Sequence, residues 1–164
     1  MTMRVRWVCA LLLAGILGLA WGLVFSAPRN DSEADLTARI ARESDLVKKA
    51  KYEVRLARVK LIQALDAREN GELETSLKLL GAYLETVKSA WDHLRQSGRV
   101  AHKKSQGFKE LDIELREDGR YLEDLKRSVS FMDRGPVEKV IQEVESLRAE
   151  VLKVLFPTMA PPSR

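Results

Sequence analysis

The sequence predicts an all-α protein, an antiparallel four-helix bundle or a pair of packed helical hairpins, behind an N-terminal signal or anchor segment. Leu73, Leu77, Leu80, Leu84, Val87, Trp91 and Leu94 recur at alternating spacings of four and three residues. Such a stripe is stable in water only when other helices cover it. Charged residues make up 32% and apolar residues 45% of the 164-residue chain, with only 9 Gly and 5 Pro, and strand signals are missing. That is the composition of amphipathic helices rather than of strands or disorder.

Residues 1–27 form the leader. Arg4 and Arg6 precede an uncharged apolar run over residues 8–25, the pattern of an export signal. Phe25 and Pro28 disfavour a cut after Ala27, whereas cuts after Ser26 or Ala20 place small or tolerated residues at the required positions. The run is also close to the roughly 20 residues that span a bilayer, with Trp7 and Trp21 near its two interfaces. A cleaved signal and a retained anchor both fit. In either case the basic start stays in the cytoplasm and the rest crosses, giving a periplasmic, secreted or membrane-anchored protein. Cys9, the single cysteine, lies in this leader, so the folded part has no disulfide, thiolate nucleophile or cysteine metal ligand.

Residues 28–35 read as a linker and residues 36–156 as the helical domain. Asp31, Ser32 or Asp35 can cap a first helix that runs to about Glu69. Its seam sets Val47, Val54 and Leu61 against Ala50, Ala57 and Ala64, and alanine there lets a neighbouring backbone approach closely. Asn70-Gly71 ends it. The organising stripe forms helix two, with Glu72 and Glu74 at its positive end and Arg95 at its negative end. Ser97-Gly98 closes that helix.

Helix three carries Phe108, Leu111, Leu115, Leu122, Leu125 and Val129 on one face, with Asp118 where the next apolar residue belongs and Gly119 beside it. The two cost about 1 kcal/mol in propensity, so a bend that lets Asp118 reach water is expected. The alternative is a buried polar site, for which helix three offers no cation three or four residues away. Asp133 is a candidate cap and Pro136 a candidate first residue for helix four, whose seam is Val137, Val140, Val144, Leu147, Val151 and Val154. Pro157 stops it, and residues 157–164 read as a disordered tail.

With Gly71 laid on Gly135, Leu73 meets Val137 and Leu80 meets Val144, as any two heptad helices would. Residues 66–87 look like one tetratricopeptide-type hairpin, though a solenoid needs several copies. The stretches Gln106-Gly107-Phe108-Lys109-Glu110-Leu111, Leu122-Glu123-Asp124-Leu125 and Asp133-Arg134-Gly135-Pro136-Val137-Glu138-Lys139 resemble small exported helical bacterial proteins without an assigned function. That resemblance implies a helical fold and extracytoplasmic placement and carries over no functional residue.

Removing Arg4 and Arg6 from the 28 basic residues leaves 26 against 24 acids. This near balance disfavours a nucleic-acid partner. Residues 95–109 contain Arg95, Arg99, Lys103, Lys104 and Lys109 without an acid, a candidate contact for anionic lipid or cell-envelope polymer, or simply a solvated connection. The Glu-x-x-His pairs of a di-iron bundle are absent, His93 and His102 read as surface residues, and no nucleophile turn or phosphate loop occurs. No cofactor is expected. The function expected is a non-enzymatic interaction or scaffolding module whose partner is another protein of the cell envelope, with contact to the membrane through residues 8–25 if they are retained. A small-ligand or metal-binding bundle built on Asp118 or the histidines, and an anionic-surface binder, are the alternatives.

Overall fold

The computed structural model describes residues 32–157; the leader, and the tail beyond Pro157, lie outside them. Among the described residues the protein is all-helical: α1 (Glu33–Arg42), α2 (Leu46–Glu69), α3 (Leu73–Gln96), α4 (Phe108–Ser128), a 3-10 turn (Phe131–Asp133) and α5 (Arg134–Leu155). The described residues belong to one compact unit. No described helix is long and apolar enough to cross a membrane.

The single first helix expected from the sequence is two helices. Ser32 caps α1, accepting from the Asp35 backbone N–H. The chain then leaves helical geometry at Glu43, and Asp45 restarts it by accepting from the backbone N–H groups of Val47 and Lys48. The Asp45 N–H in turn donates to the Glu43 carboxylate at 3.0 Å. These local bonds satisfy the donors that a continuous helix would otherwise use. α1 folds back along α2, where Lys60 and Gln63 bind Glu33 at 2.8 and 3.0 Å.

The long helices bury the faces that their spacing marks out. Val47, Ala50, Val54, Ala57, Leu61 and Ala64 of α2 are all buried, as are Leu80, Leu84, Val87, Trp91 and Leu94 of α3. The α2 alanines let α3 lie close along most of its length, and Ser76 of α3 donates to the Ala64 carbonyl at 2.7 Å across the contact. α4 packs on α2 and α5, and α5 packs on α3. One apolar core runs through all four.

At one end of this core Val47 and Leu94 meet Gly107; at the other, Arg68 of α2 donates to the carbonyl of Ser128, the last residue of α4. Gly71 and Gly98 take positive φ past their helix ends, as the turn residues foretell.

Four further features differ from expectation. α4 is helical without interruption through Asp118 and Gly119, and Asp118 stays inside rather than opening to water. α5 starts at Arg134, which puts Pro136 third rather than first; an N–H at either place has no partner within the helix, so proline fits both. Asp133 does not cap α5 and instead accepts from the Ser130 hydroxyl at 2.6 Å. In the last turn of α5 the buried residue is Leu155, while Val154 is 39% exposed.

Candidate functional site

Asp118, the polar break in the α4 seam, is 0% exposed. It does not reach water. Its Oδ1 accepts from Arg58 Nε of α2 at 2.6 Å, and its Oδ2 accepts from the Tyr83 hydroxyl of α3 at 3.1 Å. The same guanidinium meets Glu114 at 3.0 Å and Glu117 at 3.4 Å, and lies over the Tyr121 ring at 5.1 Å. Arg58 therefore ties α2 to one face of α4, and Tyr83 ties in α3.

Burial pushes the Asp118 carboxyl above the ordinary aspartate range, against the opposing pull of Arg58 and the Tyr83 hydrogen bond. Burial likewise raises Glu114, with Arg58 opposing and Asp118 and Glu117 adding to the rise. Tyr83 is driven strongly upward by burial and by the Asp118 charge, so its hydroxyl stays a donor. Each Asp118 oxygen already accepts a bond from the protein. The arrangement is a buried clamp between helices, and it gives Asp118 no open face for a ligand.

A second polar cluster, which the spacing of the sequence does not announce, joins α2 to α3. Glu53 of α2 is buried; its Oε1 accepts from the Ser89 hydroxyl at 2.8 Å, and its Oε2 lies 2.8 Å from His93 Nδ1. His93 is thus a half-buried partner of a buried carboxylate rather than a surface histidine. His102 is exposed. No group of three or more His, Cys, Asp or Glu side chains with metal-binding geometry occurs among the described residues.

The basic connection is an ordered turn. The Val100 carbonyl accepts from the backbone N–H groups of Lys103 and Lys104, and Ala101 is buried in the core. Gly107, at φ +92°, brings the chain back so tightly that an added Cβ would sit 2.6 Å from Leu94 Cδ2 and 3.0 Å from Val47 Cγ1. Its N–H donates to the Glu110 carboxylate, which also pairs with Lys51 at 2.8 Å.

This turn divides the five cations that the sequence grouped together. Arg95 and Arg99 line an open groove of about 470 Å³ at this end of the core, whereas Lys103, Lys104 and Lys109 are exposed but do not line it. The groove draws its other walls from Trp91, Val100 and His102, and from Lys153 and Val154 at the end of α5. Heptad spacing assigns Val154 to the core and carries no sign that the ends of α3 and α5 converge here.

Comparison with protein-family models, curated proteins and solved structures returns no match to this chain.

Proposed function

We propose that this protein is a non-enzymatic scaffolding module, an antiparallel four-helix bundle with α1 docked on it, held outside the cytoplasmic membrane by or after its leader. The observation that carries the reading is the turn between α4 and α5. Phe131 and Met132 stand side by side there, 81% and 87% exposed, while Val129 before them and Val137 after them in the chain are buried in the core. Two adjacent large apolar side chains held in water by a short helical turn gain free energy only when a partner covers them. The turn is held at both sides: Ser130 bonds Asp133, and Ser128 caps the preceding helix through the Leu125 carbonyl. The side chains are thus presented on a framed element, the usual condition for an anchor residue at an interface.

Two measurements test the reading. A photo-reactive residue placed at Met132 should yield a discrete protein adduct in cells, and Phe131→Ser with Met132→Ser should abolish chemical cross-linking of the same protein at an unchanged melting temperature. Cross-linking that survives the double change would sink the reading. Placement outside the membrane is tested by a reporter active only there: fused after Arg164, it should lose activity when residues 1–25 are deleted, and an unaffected reporter removes the export claim.

A further inference from the structure

We infer that the groove between the ends of α3 and α5 is a docking site for an acidic, apolar peptide segment of a partner protein. The inference rests on the scaffolding reading and adds a second surface to it, at the end of the core opposite Phe131 and Met132. The groove's composition favours this occupant. Arg95, Arg99, His102 and Lys153 stand along it, and no carboxylate lines it among the described residues. Arg95, Arg99 and Lys153 make no ion pair with any described residue; the Arg95 guanidinium rests over the Trp91 ring at 6.0 Å. The neighbouring acids stand outside the groove and bond N–H donors: Glu150 accepts from the Trp91 indole at 3.2 Å, and Asp45, whose carboxylate also feels the Arg99 charge, accepts from the backbone at the start of α2.

Between these charges lie apolar side chains that the core does not cover, Val100 at 48% exposure and Val154 at 39%. Trp91 and Phe108, packed edge to face, supply the groove's aromatic wall. A segment that inserts one apolar side chain between Val100 and Val154 and sets carboxylates against Arg95, Arg99 and Lys153 satisfies both features at once.

The surroundings distinguish a peptide from a membrane surface. An adjoining groove shares Trp91 and Arg95 and runs on between α3 and α5 past Lys88, Glu143 and Glu150. An anionic bilayer laid over this face would meet the Glu150 carboxylate and, beside it, a Lys88–Glu143 pair at 2.6 Å that offers it no net positive charge. A peptide can confine its acids to the basic end.

The test uses the full chain in non-ionic detergent micelles and a short, end-blocked fluorescent peptide in which glutamate alternates with leucine. Saturable binding is expected. Two changed peptides, glutamine in place of glutamate and serine in place of leucine, should each bind about ten-fold more weakly or worse, as should the variants Arg95→Gln/Arg99→Gln/Lys153→Gln and Val100→Ser/Val154→Ser. Circular dichroism melts of both variants establish that they are folded. No binding, equal binding of the serine-containing peptide, or equal binding by either variant overturns the proposal. Displacement of the peptide by phosphatidylglycerol added to the micelles also overturns it, because the surface would then be a lipid site. In cells, adducts from a photo-reactive residue at Val154 that the charge variant loses support the groove. Adducts from Met132 alone overturn the groove and leave the scaffold standing, and adducts from neither position remove both.

Discussion

At the scale of single residues, Arg58 is the side chain on which most depends. Three carboxylates, those of Asp118, Glu114 and Glu117, share its guanidinium. Removing one partner of a buried pair leaves an uncompensated charge, whereas replacing both by apolar groups costs far less. Arg58→Met should therefore lower stability by about 3 kcal/mol at neutral pH, the low end of the buried-pair range because Arg58 is itself partly exposed. Adding Asp118→Leu should recover much of that loss in denaturant titrations. The pH dependence has a definite sign. Burial raises the folded Asp118 carboxyl above its ordinary 3.8, so between that value and the raised one the folded state holds the proton that the unfolded state has released. Stability contributed by the protonated form is then lost as pH rises through this window. Without Arg58 the window widens upward, and the penalty of Arg58→Met should shrink as pH is lowered from 7 toward 5. A penalty that grows on acidification would show that Asp118 is not the group left exposed to the change.

At the scale of elements, the connection from α3 to α4 is the most constrained segment. Gly98 and Gly107 both have positive φ, but only Gly107 faces side chains within contact distance. Gly98→Ala should cost about 1 kcal/mol through backbone strain alone. Gly107→Ala adds a collision with Leu94 and Val47 and should cost about 2–4 kcal/mol. Equal costs in chemical denaturation would mean that the turn shifts freely and that the groove above it is not fixed. The break between α1 and α2 shows the same principle in reverse. Glu43, Ser44 and Asp45 offer side-chain oxygens just ahead of Leu46 and Val47, a helix-start signal present in the sequence that the reading of a single first helix leaves unused.

At the scale of the whole molecule, the four long helices share one core, so a cavity in any of them should weaken all of them together. Leu84 is buried within that core. Leu84→Ala should cost about 2–5 kcal/mol and should lower the melting temperature of the entire helical signal in one transition. Two transitions, or a cost below about 0.5 kcal/mol, would show that the helices form separate hairpins. The scaffold reading also belongs at this scale. The exposed pair Phe131 and Met132 lies at one end and the basic groove at the other, separated by the length of α4, which for its 21 residues is about 32 Å.

Periodicity and turn residues determined by themselves that the described part of the chain is helical, which face of each long helix is inward, and that Gly71 and Gly98 stand past helix ends, because these are properties of residues within a few positions of one another. Periodicity marked Asp118 as an anomaly for the same reason. What only the tertiary structure decided is how that anomaly is resolved: Arg58 is 60 residues away in sequence and Tyr83 is 35 away, and their meeting depends on the order and rotation of three helices. Burial of Glu53 against His93, exposure of Val154 in place of Leu155, and the groove built from the ends of α3 and α5 are decided in the same way. A heptad states that a face is covered, and only packing between helices settles what covers it and where the covering stops.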